Sequence, residues 1–263
     1  MKHAVLAFLL VIAAFSSARA EMFDVVNIPD RENISFQFSY KGINLKNPPK
    51  KPFALHFQAA EAAVKADYIT RMVGDGPARH VEVEIKALCQ NGYTTQEIFR
   101  FKPGQKLVLA YSEKNVFLSS GRKIRTESYD LSESNPPLPK EMTHPHTLPL
   151  ALRGMEFKPG LERSFYIWFN PTLVFAVKMA VKGQEEITVP AGTFRCNRLE
   201  IAPDLTDFSG PIVGQLLKPL IAPYIVWMDA KSPYKIVRYQ GPFGMVNIKG
   251  PTEIYELAKV GDQ

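Results

Sequence analysis

Between residues 80 and 129 the chain is written as short alternations of apolar and polar residues cut by turn residues, a pattern that leaves little besides an antiparallel meander. Val81, Val83 and Ile85 share one phase, Asn91-Gly92 supplies a hairpin turn, and residues 97–101 return. Pro103-Gly104 turns the chain again. Leu107, Leu109 and Tyr111 then take one face, and Val116 and Leu118 lead through Gly121 into 124–129. Upstream, Ile34, Phe36, Phe38 and Tyr40 alternate in the same way. Strands joined by such short turns pair antiparallel, because a parallel partner needs a long crossover.

Downstream of the meander, residues 135–149 hold Pro136, Pro137, Pro139, Pro145 and Pro149, which remove backbone donors and forbid regular structure. Leu148, Leu150 and Leu152 follow at once and need burial, so this stretch reads as a strap over the sheet between two halves. Further strands fit 186–189, 193–201, 224–228, 235–239 and 252–257. Phe57, Ala60, Val64 and Tyr68 suit one helical face, with a strand over 68–73 as the alternative; the reading is a short helix or irregular crossing. Ile212, Val213, Leu216, Leu217 and Leu220 also follow helical spacing, with Pro219 kinking or ending the turn. The expected architecture is mainly β: a curved antiparallel sheet or half-open β-barrel with one or two short helices packed on it.

Two segments break the alternation. Phe165, Ile167 and Phe169 take one side while Tyr166 and Trp168 take the other; in 173–181 the odd positions are all apolar and the even ones are Val174, Ala176, Lys178 and Ala180. A strand with one wet face alternates cleanly. These segments are therefore expected to be covered on both faces, by a helix or by a ligand. The helical stretch around Leu216, Leu217 and Leu220 is the expected lid. Tyr166, Trp168, Val174, Ala176, Leu216, Leu217, Leu220 and Trp227 are the candidate lining of an apolar ligand site, packed core being the alternative.

The first twenty residues carry the signature of a secretory signal peptide. Lys2 and His3 are basic, an apolar run covers 4–15, and Ala18-Arg19-Ala20 offers small residues for cleavage. That run is too short to cross a bilayer. A single β-rich domain is expected over 21–263, in the periplasm and without a lipid anchor, since no Cys follows the cleavage site. No later stretch is apolar for long enough to span a membrane. The charge of +6 falls to +4 when Lys2 and Arg19 leave with the signal, and the remaining basic residues are scattered. A nucleic-acid binder gathers its charge into a patch, so nucleic acid is not an expected partner. The two cysteines, Cys89 and Cys196, sit in strand-like segments; a disulfide between them and a pair of buried thiols are both open.

Chemistry-bearing motifs are absent: there is no G-x-S-x-G, no H-E-x-x-H, no P-loop and no G-x-G-x-x-G. His144-Pro-His146, with Glu141 near, falls short of a metal ligand set and reads as a solvated loop. Asp204 and Asp207 read as acids before a helix start. No catalytic residue, metal or cofactor is expected.

Leu150-Ala151-Leu152-Arg153-Gly154, Val189-Pro190-Ala191-Gly192-Thr193-Phe194, and Trp227 followed by Ser232-Pro233-Tyr234-Lys235-Ile236-Val237-Arg238 resemble a family of bacterial exported proteins, domain of unknown function 3108. The resemblance implies a Gram-negative periplasmic setting and a curved antiparallel sheet, and it brings no catalytic residues. The functional expectation is a non-enzymatic periplasmic binding or carrier protein for an apolar ligand such as a lipid. An envelope assembly or protein-interaction module, and an unrecognised hydrolase, are the alternatives.

Overall fold

The computed structural model describes residues 22–42, 62–90, 92–132, 134, 138–139, 141–204, 222–242 and 252–261. The signal segment and Leu216, Leu217 and Leu220 lie outside them. Six strands come first: β1 (Arg31–Lys41), β2 (Ala63–Val73), β3 (His80–Cys89), β4 (Thr94–Phe101), β5 (Leu109–Phe117) and β6 (Lys123–Asp130). The strap carries β7 (Met142–Thr143) and α1 (Leu148–Ala151). Then follow β8 (Glu162–Asn170), β9 (Leu173–Val189), β10 (Gly192–Pro203), β11 (Tyr224–Asp229), β12 (Ile236–Pro242) and β13 (Thr252–Val260).

All of these strands join one 13-stranded sheet in the order β6-β5-β4-β3-β2-β1-β13-β12-β11-β10-β9-β8-β7. Each neighbouring pair is antiparallel except β7 with β8. The sheet is curved and not closed. Two expectations give way. Residues 63–73, read toward helix, form β2, because β1 and β3 offer backbone partners on either side of it. The separate strands expected at 173–181 and 186–189 are one strand, β9, whose register with β10 shifts beside Gly183; the positive φ of 142° there suits glycine.

Two prolines of the strap do not abolish regular structure. Pro145 is the first residue of a 3₁₀ turn (Pro145–Thr147) and Pro149 the second of α1, both in a first turn where a missing N–H costs little. Leu148, Leu150, Ala151 and Leu152 are buried. The face of the sheet they meet is the inner face, which register traces from Phe99 and Val83 through Thr70 to Glu32.

One ion pair fastens strap to sheet. The Arg153 guanidinium donates to Glu32 at 2.5 Å, with side chains 4% and 2% exposed, and Lys235 Nζ lies 3.8 Å from the same carboxylate. Asn27 closes the arrangement by donating to the Arg153 carbonyl at 3.0 Å, while Phe23 N–H donates to the Ala151 carbonyl at 2.9 Å. The outer face is polar by comparison. Arg71, Glu82 and Arg100 face one another across three strands there, and Arg100 lies over the Tyr111 ring.

Rolling of the sheet explains the doubly apolar strands. Trp168 leaves β8 from the face opposite Phe165 and Ile167, yet its ring lies 5.6 Å from Tyr129, whose strand register places it on the inner face of β6. The β8 end is therefore tucked behind the β6 end. Among the described residues, Trp168 is covered by Tyr129 of the sheet and by His144 of the strap (5.9 Å between rings).

Cys89 on β3 and Cys196 on β10 are buried thiols and are not bonded to each other. They stand six strand steps apart along the sheet (β3-β2-β1-β13-β12-β11-β10), whereas a disulfide needs Cα atoms within about 7 Å. Desolvation first, then the charges of Asp229 and Glu185, pushes the Cys196 thiol up to about 12, so it stays unreactive. Protein purified without reductant and then denatured is expected to titrate two thiols per chain; a value near zero contradicts this arrangement. Arg153→Ala strands the Glu32 carboxylate in the core and is expected to cost about 3–5 kcal/mol. The measurement is the urea midpoint at constant slope, and a shift under about 1 kcal/mol refutes the role given to the pair.

Candidate functional site

The inner face is not uniformly apolar. Where β4, β2, β1, β13, β12 and β11 line up, alternation brings Glu97, Tyr68, Tyr40, Glu253, Tyr255, Tyr239 and Tyr224 inward. The strap adds His144 and His146. Cross-strand register sets the rows: Tyr40 is opposite Glu253, which is opposite Gly241, and in the next row Phe38, Tyr255 and Tyr239 stand side by side. Tyr239 stacks on Tyr255 at 4.6 Å between ring centres, and Phe36 meets Tyr68 and Tyr255 edge-on at 4.9 and 5.3 Å.

The 3₁₀ turn aims the two imidazoles. His144 Nδ1 accepts from the His146 backbone N–H at 3.2 Å, and Thr143 and Thr147 hydroxyls share a buried hydrogen bond of 2.9 Å beneath. His146 Nδ1 lies 2.5 Å from Glu97 Oε2, and Lys114 Nζ lies 3.5 Å from Glu97 Oε1. Burial opposes charge on Glu97, but the His146 and Lys114 charges prevail and hold its carboxyl well below the carboxylate range. Burial likewise opposes the His146 cation, and Glu97 overrides it, raising that ring. Burial, then repulsion from His146, presses His144 down to about 3, so it stays neutral.

Glu97, His144 and His146 have donor atoms within 4.8 Å of one another, the composition of a zinc-type set. The fit is poor. Both Glu97 oxygens are already engaged, the Lys114 ammonium repels a cation, and His144 Nδ1 is turned to a backbone N–H. The cluster is an acid–base brace holding strap to β4 rather than an ion cage.

Around Glu253 the packing differs. Burial comes first among the causes that raise Glu253 and the five tyrosines; Tyr224 reaches about 12, with the charge of Glu253 contributing. Yet Tyr40, Tyr68, Tyr224, Tyr239 and Glu253 are only half-buried, and His146 leaves 41% of its side chain accessible. These groups are closely surrounded by protein yet keep part of their surface accessible. A cleft of ≈ 60 Å³ adjoins the brace, lined by Glu97, Lys114, Glu127, Tyr129, His144 and Trp168, among others. The buried Trp168 Nε1 lacks a hydrogen-bond partner.

The described residues among those picked from sequence differ in burial. Trp168 is 1% exposed and joins the cleft, Ala176 is buried, Val174 is half-buried, and Tyr166 is 38% exposed. Trp227 donates from Nε1 to Glu185 and lies under Arg238 at 5.5 Å, three strands from Trp168. Glu97, Glu253 and the inward tyrosines were missed by sequence reasoning. Their signal was phase: Tyr40 continues the alternation of Phe36 and Phe38, while Glu253 looks like any surface acid.

A pH profile tests the brace. The unfolded chain binds more protons than the native state where His144 is depressed, so stability falls as pH drops from 6.5 toward 3. Glu97 adds to that loss below its ordinary 4.5. His146 acts oppositely: its contribution is whole below 6.5 and disappears as pH rises through its raised value. His144→Gln is expected to flatten the acid limb of the urea midpoint, and His146→Gln the alkaline one. Unchanged profiles in both variants refute the assignment.

No protein-family model matches the chain, and no curated protein matches it in sequence. The likeness to domain of unknown function 3108 is not shown by these comparisons. Among solved structures the chain is similar to a β-barrel-like protein of domain of unknown function DUF1849 from Brucella abortus. The TM-score is 0.50 at 9% identity, covering 89% of this chain and 98% of that one. A putative exported protein with YmcC-like fold from Bacteroides fragilis matches at a TM-score of 0.32 and 11% identity, over 92% and 100% of the two chains. The hypothetical lipoprotein YmcC from Escherichia coli matches at 0.30 and 9%, over 88% and 87%. The first of these likenesses shows the fold: a β-barrel-like sheet.

Proposed function

We propose that the chain is a periplasmic, non-enzymatic binding or carrier protein whose ligand is apolar over most of its length, such as a lipid. The observation that carries this reading is the group of half-buried tyrosines around a carboxyl group on the inner face of a curved sheet, where an ordinary core would be apolar and closely packed. Ligand sites are concave and mostly apolar, with a few placed polar groups. Phe38, backed by the buried Phe36 and Tyr255, offers the apolar contact, and Glu253 and Tyr40 the polar point. Trp168 belongs to the adjoining cleft. Both imidazoles are engaged in the brace, which favours holding over turnover.

Solvent extraction of the purified protein followed by mass spectrometry is expected to yield a stoichiometric apolar ligand. Stripped protein is expected to bind a fluorescent fatty acid saturably, and Phe38→Asp to weaken that binding at least about tenfold, the equivalent of roughly 1.4 kcal/mol. An empty protein that also ignores fatty acids and lipids overturns the proposal.

A further inference from the structure

Glu253 differs from the other carboxylates that face inward. Glu97 is met by His146 and Lys114, and Glu32 by Arg153 and Lys235. Among the described residues no cation forms an ion pair with Glu253, whose hydrogen bond comes from the neutral Tyr40 hydroxyl at 3.2 Å. His146 acts on it only through space, since its Nδ1 is taken by Glu97. A carboxylate surrounded by protein without a cation is costly unless something supplies one.

The neighbours of Glu253 are aromatic. Gly241 stands opposite it on β12, and a Cβ there would lie 2.5 Å from both Tyr224 Cδ1 and Tyr239 Oη. Glycine at this position lets two tyrosine rings close over the space beside the carboxylate. Tyr224 and Tyr239 are 6.1 Å apart, and Tyr239 continues into its stack on Tyr255. A carboxylate set among aromatic rings suits a large, weakly hydrated cation. Tyrosine hydroxyls that stay neutral are poor ligands for a metal ion.

We propose that this centre binds an organic ammonium group, primary or quaternary, with Glu253 as counter-ion and Tyr40, Tyr224, Tyr239 and Tyr255 as its aromatic surround. The inference rests on the binding reading above and specifies the polar end of its ligand. Such a group on a lipid would place the head at Glu253 and the chains toward Phe38. Ammonium binding keeps Glu253 ionised, so any proton that burial holds there is released to solvent.

Calorimetric titration of the full chain with choline, ethanolamine and 3,3-dimethyl-1-butanol, the uncharged counterpart of choline, tests the charge requirement. Choline or ethanolamine is expected to bind saturably, at least about tenfold tighter than the alcohol. Glu253→Gln is expected to erase that difference, and Tyr239→Leu to weaken the ammonium compounds about three- to tenfold. Far-UV circular dichroism identifies variants that have lost the fold, and Glu253→Asp, which keeps the charge, is expected to retain the preference. Equal binding of choline and the alcohol, or preference surviving in Glu253→Gln, overturns the inference. Saturable fatty-acid binding without affinity for either ammonium compound also overturns it and leaves the carrier reading standing.

Discussion

Everything inside the curved sheet hangs from one buried carboxylate. Glu32 on β1 receives Arg153 from the strap and Lys235 from the turn before β12, so one acid joins three stretches far apart in sequence. Without it the strap has apolar grip but no register. Leu150, Leu152 and their neighbours suit many positions on a greasy wall, whereas a guanidinium held on a carboxylate suits one. Leu150-Ala151-Leu152-Arg153-Gly154 and Ser232-Pro233-Tyr234-Lys235 thus converge at this point. Val189-Pro190-Ala191-Gly192 is pinned by a hydrogen bond from Ala191 N–H to the Leu257 carbonyl on β13.

Anchoring the strap has consequences further on. The same segment carries His144 and His146 to β4, where the Glu97 brace forms at the seam between the two ends of the sheet. Trp168 and Tyr129 meet there, and the sheet comes to shelter its own second face. A rolled sheet with overlapping ends needs apolar residues on both sides of its inner turn, and this is the physical meaning of the mixed pattern in β8 and β9. On the far wall, around Glu253, Tyr40, Tyr68, Tyr224 and Tyr239 stay half-buried.

Strand positions were largely legible, because a period of two is imposed residue by residue and each turn residue acts locally. The misreading of 63–73 shows the limit: Ala and Lys favour helix in isolation, and only the offer of two neighbouring strands reverses that preference. The candidate site was poorly legible. On the second face of β8 and β9, Trp168 and Ala176 are buried while Tyr166 is exposed, because cover depends on which distant strand comes near. Trp168 and Trp227 look alike in sequence, and one lines a cleft while the other lies under an arginine.

By itself the sequence determined the β class, the strand periods, the burial of the strap leucines and the export signature expected of residues 1–20. These follow from local sterics and from the apolar content of successive residues. Tertiary structure alone decided which acids became partners and which stayed without a cation. Glu32, Glu97 and Glu253 are indistinguishable as letters. Curvature brings Arg153 to the first, His146 and Lys114 to the second, and a set of tyrosines to the third, because charge pairing depends on distance through space and not along the chain.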